Sequence, residues 1–170
     1  MMNVYIDKLN EEDAKELYIF ECKNRAFFEQ TIAGRGDDYY NVDTFEIRHR
    51  DLLKEQEDAA CSCYLIKEDA GTIVGRINLV DINPILGTAH VGYRIGEAFT
   101  KKGIANEALQ LLIKLAPEMK VNQLHAKTTN VNIASQKVLA KNGFERISVS
   151  EEMSEDTSQK ITLYHYRKNL

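Results

Sequence analysis

The spacing of apolar and polar positions divides the chain into a helical opening, a strand-rich middle and two units near the end in which strands and helices alternate. Val4 to Lys8 reads as a short strand, and Asn10 with Asp13 three residues on reads as the cap of a helix starting near Glu11. Ala14, Leu17, Tyr18 and Cys22 recur at helical spacing as its buried stripe. Around Phe27 and Phe28 the pattern predicts a second short helix, which Gly34-Arg35-Gly36-Asp37-Asp38 breaks, with Tyr39 and Tyr40 following in a loop. A further helix is predicted from about Val42 to Asp58, capped by Asp43 or Thr44, with Phe45, Leu52 and Leu53 facing inward.

Cys61 to Lys67, Thr72 to Ile82 and Ala89 to Ile95 predict an antiparallel meander, turning at Glu68-Asp69-Ala70-Gly71 and around Asn83-Pro84 and Gly87. Ile73, Ile77 and Leu79 alternate with Arg76 and Asn78, the pattern of a strand buried on one face. Ile104, Ala108, Leu111, Leu112 and Leu115 then recur with a helical period. After an extended run from Val121 to Thr129, Asn132 stands where an N-cap belongs. The short helix that follows ends at Gly143, a natural left-handed residue, with Phe144 expected to pack on Leu139. Glu151-Glu152-Met153-Ser154-Glu155-Asp156 reads as an acidic loop, as solvated turns often are, ahead of a last strand at Lys160 to Tyr166.

A length of 170 residues predicts one domain, residues 1–170, with a real core. The formal charge of −4 argues against a general nucleic-acid binder, which needs a basic surface to displace counterions. No apolar run approaches the length of a membrane span, and Met1 to Ile6 lacks the basic and hydrophobic regions of a secretory signal. A cytoplasmic protein without a membrane partner is expected. Cys22, Cys61 and Cys63 lack a second Cys or His pair at ligand spacing, so they read as core thiols in a reducing compartment, and no metal is expected.

Candidate chemistry begins at Thr100-Lys101-Lys102-Gly103-Ile104-Ala105, where a strand pattern gives way to a helix. A helix N-terminus leaves several N–H groups unpaired and carries partial positive charge, which suits phosphate oxygens. Gly103 removes the Cβ that would hold a diphosphate off the backbone, Ala105 does nearly the same, and Lys101 and Lys102 add charge at the rim. A merely solvated helix cap has the same features, so this segment alone does not decide.

The second signature, Asn132-Ile133-Ala134-Ser135 running to Gly143-Phe144, changes that. The two motifs at this spacing resemble the GCN5-related N-acetyltransferase superfamily. The wording Lys102-Gly103-Ile104-Ala105, with Asn132 and Ser135 and the ending Lys141-Asn142-Gly143-Phe144-Glu145, is most similar to its ribosomal-protein alanine N-acetyltransferase branch. The specific motifs cover residues 72–146. The resemblance implies an α+β fold in α/β/α layers, a mixed and mostly antiparallel sheet with one splayed strand pair and helices on both faces. It implies acetyl-CoA as co-substrate, with the pantetheine arm in the splay near Tyr93, Arg94 and Ile95. The diphosphate would lie on Lys101, Lys102, Gly103, Ile104, Ala105 and Asn106, with Asn130, Asn132 and Ser135 completing the cofactor side.

By the same resemblance Ser135 donates a hydrogen bond to the departing thiolate, and Glu155 or Glu152 takes the amine proton. Two positions depart from the family pattern. Thr100 stands where Arg or Gln is usual, and Leu139 replaces a Tyr that serves many members as the acid. Phe28 and Tyr39, on the aromatic helical arm, are candidates for one wall of the acceptor pocket, although packing and solvent account for such residues too. Asp81, at a strand end, is a further candidate near the acceptor.

The reaction these residues predict is direct acetyl transfer to a primary amine. An α-amine with a pKa of about 8 is partly neutral near neutral pH, whereas a lysine at about 10.4 is not. A site without an obvious dedicated base therefore favours the N-terminal α-amine of a protein or peptide. Alternative readings are a small amine acceptor, such as a polyamine, an aminoglycoside or an amino acid, and a non-catalytic acetyl-CoA-binding module. Monomer and homodimer both remain open.

Overall fold

The computed structural model describes residues 2–32, 34–154 and 157–170. Its strands are β1 (Val4–Lys8), β2 (Ser62–Glu68), β3 (Ile73–Asn83), β4 (Thr88–Ile95), β5 (Gln123–Thr129), β6 (Glu145–Met153) and β7 (Lys160–Asn169). They form one sheet in the order β1-β2-β3-β4-β5-β7-β6. Every neighbouring pair is antiparallel except β4 and β5, which run parallel. The longer helices are α1 (Ala14–Phe28), α2 (Val42–Glu57), α3 (Ile104–Leu115) and α4 (Ile133–Lys141).

Period-two alternation sends neighbouring residues of one strand to different cores. Tyr64 and Ile66 of β2 join Ile104, Ala108, Leu109 and Leu112 of α3 on one face. Cys63 and Leu65 join Leu17, Phe20 and Phe28 of α1 and Phe45 of α2 on the other. Because both faces are covered, β3 is not the half-buried strand its alternation predicts: Ile73 through Ile77 are all buried, Arg76 included. An arginine at such a position requires a buried partner, and α1 supplies Glu21.

The second short helix predicted around Phe27 and Phe28 is instead the end of α1, which runs unbroken to Phe28 because Phe20, Asn24 and Phe28 continue its buried stripe. Tyr39 and Tyr40 lie in a 3₁₀ turn rather than an open loop, with Tyr39 buried against Phe45 and Tyr40. The cap of α2 is Asn41, whose side chain accepts from the N–H groups of Asp43 (3.0 Å) and Thr44 (3.2 Å), so the two residues predicted as caps are the donors. Glu151, Glu152 and Met153 belong to β6, because their pairing with Thr162, Ile161 and Lys160 of β7 extends the hairpin through them.

Elsewhere the local chemistry acts as predicted. Asn10 and Asp13 form a reciprocal capping box. Asn132 caps α4 by accepting from the Ser135 N–H at 3.2 Å. At the other end Gly143 takes φ +78°, and the Phe144 N–H donates to the Leu139 carbonyl at 3.0 Å. Phe144 and Leu139 are buried in one cluster. No helix among the described residues is long and apolar enough to cross a membrane.

Candidate active site

Parallel pairing of β4 with β5 covers only Thr88–His90 against Gln123–His125. Beyond that, β4 stays bonded to β3 as far as Ile95, and β5 to β7 as far as Thr129, so the two strands part company while each keeps its outer neighbour. The facing edges, from Val91 and from Ala126 onward, therefore present backbone N–H and C=O groups that the sheet leaves unpaired across the gap. A cavity of ≈ 540 Å³ opens there, lined among others by Tyr93, Arg94, Ala126, Thr128, Asn132 and Ser135.

Beyond the end of β4 the chain reaches the start of α3. Lys101 (φ +61°) and Gly103 (φ +79°) both take left-handed backbone conformations, and no side chain caps the helix. The N–H groups of its first turn, Ile104 to Asn106, thus have neither a cap nor a helical partner. A Cβ at Gly103 would meet nothing within 4 Å, so this space is open, and Lys101 and Lys102 are exposed beside it. Such an arrangement fits a diphosphate. Thr100, in the place of a longer polar residue, braces the loop locally by donating from Oγ1 to the Glu97 carbonyl at 2.9 Å.

At the mouth of the gap two hydroxyls meet. The Tyr93 oxygen lies 3.1 Å from Ser135 Oγ and donates to the Ser135 carbonyl at 3.3 Å. Burial pushes the Tyr93 phenol up to about 12, against a smaller lowering by its bond to Ser135, so it stays protonated and available as a donor. Leu139 lines the same cavity without a hydroxyl. The tyrosine at the serine comes from β4 instead of from α4.

The opposite side of the sheet is charged. Arg76 and Arg94 are direct cross-strand partners, so both guanidinium groups project toward α1. Glu21 lies between them, its carboxylate accepting from Arg76 at 2.8 Å and from Arg94 at 3.1 Å. Arg35 joins the group, with its guanidinium 4.7 Å from the Tyr39 ring centroid. Burial works to raise the Glu21 carboxyl, but Arg76, Arg94 and Arg35 together outweigh it and hold the group below the usual carboxylate range. Burial, followed by repulsion from Arg94, lowers Arg35.

The other predicted site residues are spread more widely. Ile95 packs against the α3-side core. Asn106 accepts from the Asn142 amide at 2.9 Å and ties α3 to α4. Asn130 follows β5 on the surface, its N–H donating to Thr162 O at 3.0 Å. Glu152 is an exposed residue of β6 that lines the cavity, whereas Glu155 lies outside the described residues. Phe28 is buried beneath the Arg94 guanidinium, 4.8 Å from its ring centroid, and the Tyr39 hydroxyl lies 3.4 Å from Arg76. Both stand behind the arginines. Asp81 sits on a bulge of β3 with φ +51°, exposed and 3.7 Å from His90 Nδ1, and is not among the residues lining the cavity.

Sequence reasoning passed over Glu21, Arg35 and Arg76 as members of the site. The one available signal was an acid on the apolar side of α1, at the i+4 position from Leu17 and one residue after Phe20.

A long donor with a diphosphate at one end and a reactive acyl group at the other suits this geometry, and the class it defines is a coenzyme A-dependent acyltransferase. A family model described as the acetyltransferase (GNAT) domain matches residues 3–145, and the chain belongs to that family. It is an N-acetyltransferase that uses acetyl-CoA. The chain is 31% identical over 152 residues to the probable N-acetyltransferase YjcK of Bacillus subtilis (strain 168), covering 86% of this chain and 83% of that protein. It is 28% identical over 157 residues to the ribosomal-protein-serine acetyltransferase of Escherichia coli (strain K12), covering 91% and 87%. Among solved structures, RimL, a ribosomal L7/L12 alpha-N-protein acetyltransferase in complex with coenzyme A, superposes with a TM-score of 0.89 at 20% identity, over 100% of this chain and 96% of that one. The microcin C7 self-immunity acetyltransferase MccE, in complex with acetyl-CoA and AMP, gives 0.86 at 21%, over 97% and 92%. Among the described residues no three His, Cys, Asp or Glu side chains gather as a metal site.

Proposed function

We propose that the acceptor is the N-terminal α-amine of a protein or peptide, acetylated directly in the cytoplasm with no covalent enzyme intermediate. The observation that carries this reading is the acid–base inventory of the cavity. Among the described residues that line it, the only carboxylate is Glu152, exposed to solvent on β6. Such a group can take a proton through water from an amine already partly neutral at pH 7, as an α-amine is, but it is poorly placed to strip a lysine. The likeness to the ribosomal-protein-serine acetyltransferase supports the same choice.

The unpaired edges of β4 and β5 hold the linear arm of the donor, and their N–H groups stabilise the oxyanion as the amine attacks the thioester carbonyl. Ser135 gives its proton to the departing thiolate, the neutral phenol of Tyr93, 3.1 Å away, replaces it, and the phenol regains a proton from solvent, to which Glu152 passes the proton taken from the amine. Lys101, Lys102 and the first turn of α3 hold the diphosphate, and Asn130 and Asn132 contact the cofactor elsewhere, Asn132 from the cavity at the splay. Phe28 and Tyr39 serve the acceptor by carrying the arginines that face it.

The reading is tested by thiol release with acetyl-CoA and a panel of peptides. Peptides with a free N-terminus turn over, and the same peptides with a blocked N-terminus and an internal lysine do not. Turnover of polyamines or aminoglycosides with no peptide acetylated would overturn it.

A further inference from the structure

The charge on the α1 side of the sheet does not balance. Arg35, Arg76 and Arg94 surround one carboxylate, Glu21, which pairs with two of them. Among the described residues no other acid pairs with the third: Asp37 is bound by Arg25, Asp38 by Arg48 at 2.8 Å, and Glu152, exposed on β6, makes no ion pair with it. Among the described residues two positive charges are left over in a largely desolvated place, where an unpaired cation is costly. The Nε atoms of Arg35 and Arg76 are buried with no hydrogen-bond partner among the described residues. Stability alone does not call for a third guanidinium here, since like charges at close range oppose folding.

All three arginines line the cavity at the splayed strands, and Arg35 and Arg76 also line the adjoining cavity of ≈ 460 Å³. Arg94 follows Tyr93 directly in β4. Alternation turns Tyr93 toward Ser135 on one face of the sheet and Arg94 toward Glu21 on the other, about 3.3 Å further along the strand. The arginines therefore lie on the α1 face of the sheet, opposite the face that carries the hydroxyl pair.

We infer that Arg35, Arg76 and Arg94 form a subsite for an anionic oxygen group, carboxylate or phosphate, carried by the acceptor near its amine. Planar guanidinium forks match both groups with paired N–H donors, and Glu21 fixes the aim of two of them. This inference rests on the N-terminal reading above. The anionic group is then a side chain within the first residues of the peptide, and the enzyme selects acidic or phosphorylated N-termini over neutral ones.

Matched peptides test it: an acidic residue, aspartate or glutamate, at the first and second positions, the corresponding asparagine or glutamine, and phosphoserine against serine. In kcat/KM at moderate salt, at least one anionic form exceeds its neutral counterpart by about tenfold or more, and whichever does so identifies the group. Arg35→Gln narrows the ratio and Arg35→Lys recovers part of it. Arg35 is the residue to vary because it shares no direct ion pair with Glu21, so its loss does not strand that carboxylate. Equal rates for both anionic peptides and their neutral partners overturn the subsite and leave the N-terminal reading intact, as does an Arg35→Gln enzyme with undiminished preference. Calorimetric binding of the N-acetylated peptides to coenzyme A-saturated protein gives a readout independent of turnover. Tighter binding of the anionic forms without thiol release from any peptide would sustain the subsite and remove the proposed acceptor reaction, and equal binding of both forms would overturn the subsite.

Discussion

Glu21→Gln isolates the buried charge on which the arginine face depends. The substitution keeps the size of the side chain and an oxygen to accept from Arg76, but removes the charge that two guanidinium groups share at 2.8 and 3.1 Å. Losing one partner of a buried ion pair costs about 3–5 kcal/mol, because the charge left behind is neither solvated nor paired. The retained amide oxygen places the expected loss near the lower end, about 3 kcal/mol. For a chain of 170 residues this lowers the melting midpoint at pH 7 by roughly 6–12 °C. The pH dependence supplies a sharper check. The folded carboxyl is held below its ordinary 4.5, so its stabilisation is fully present above that pH and is lost as pH falls through the folded value. The variant cannot titrate, so wild type and variant converge on acidification. Differential scanning calorimetry from pH 7 to pH 3 follows both curves. A midpoint within about 2 °C of wild type at pH 7, or a gap that stays constant through the acid range, would refute the account of Glu21 as the counter-ion.

Three further outcomes follow from the site. Ser135→Ala and Tyr93→Phe each lower kcat by about 10²-fold with little change in the KM for acetyl-CoA, and the double variant is no worse than either alone if they form one proton path; additive losses in steady-state assays count against it. Gly103→Ala meets no steric contact but strains a φ of +79°, so it costs about 1 kcal/mol and also shrinks the stabilisation by saturating acetyl-CoA; an undiminished thermal shift would remove the helix start as the diphosphate site. Leu139→Ala, at a fully buried position, costs about 2–5 kcal/mol in denaturant melts, and a loss below about 1 kcal/mol would mean that its contact with Phe144 does not hold the end of α4.

Much of this fold was legible one residue at a time. The capping box at Asn10, the cap at Asn132 and the left-handed stop at Gly143 are contacts within a few residues, and each formed as read. The misreadings also have local causes. By residue type Asn41, Asp43 and Thr44 are equally suitable caps, and only the start of α2 at Val42 selects Asn41. Glu151 and Glu152 read as solvated, and they are, yet together with Met153 they pair as a strand because β7 lies alongside. Charge reports exposure and says nothing of partners in the ladder.

What only the assembled molecule decided involves residues far apart in sequence. Arg76 reads as the polar side of a half-buried strand, but α1 covers that face, and burial turned it into a paired charge 55 residues from Glu21. The meeting of Tyr93 with Ser135, 42 residues apart, exists because β4 and β5 part after a short parallel pairing and α4 starts beside the opening. Caps, turns and periodicities depend on bonds that the chain makes with its near neighbours, so sequence carries them directly. The splay, the hydroxyl pair and the surplus of arginines depend on which faces the helices cover, and that is set by packing the whole chain at once.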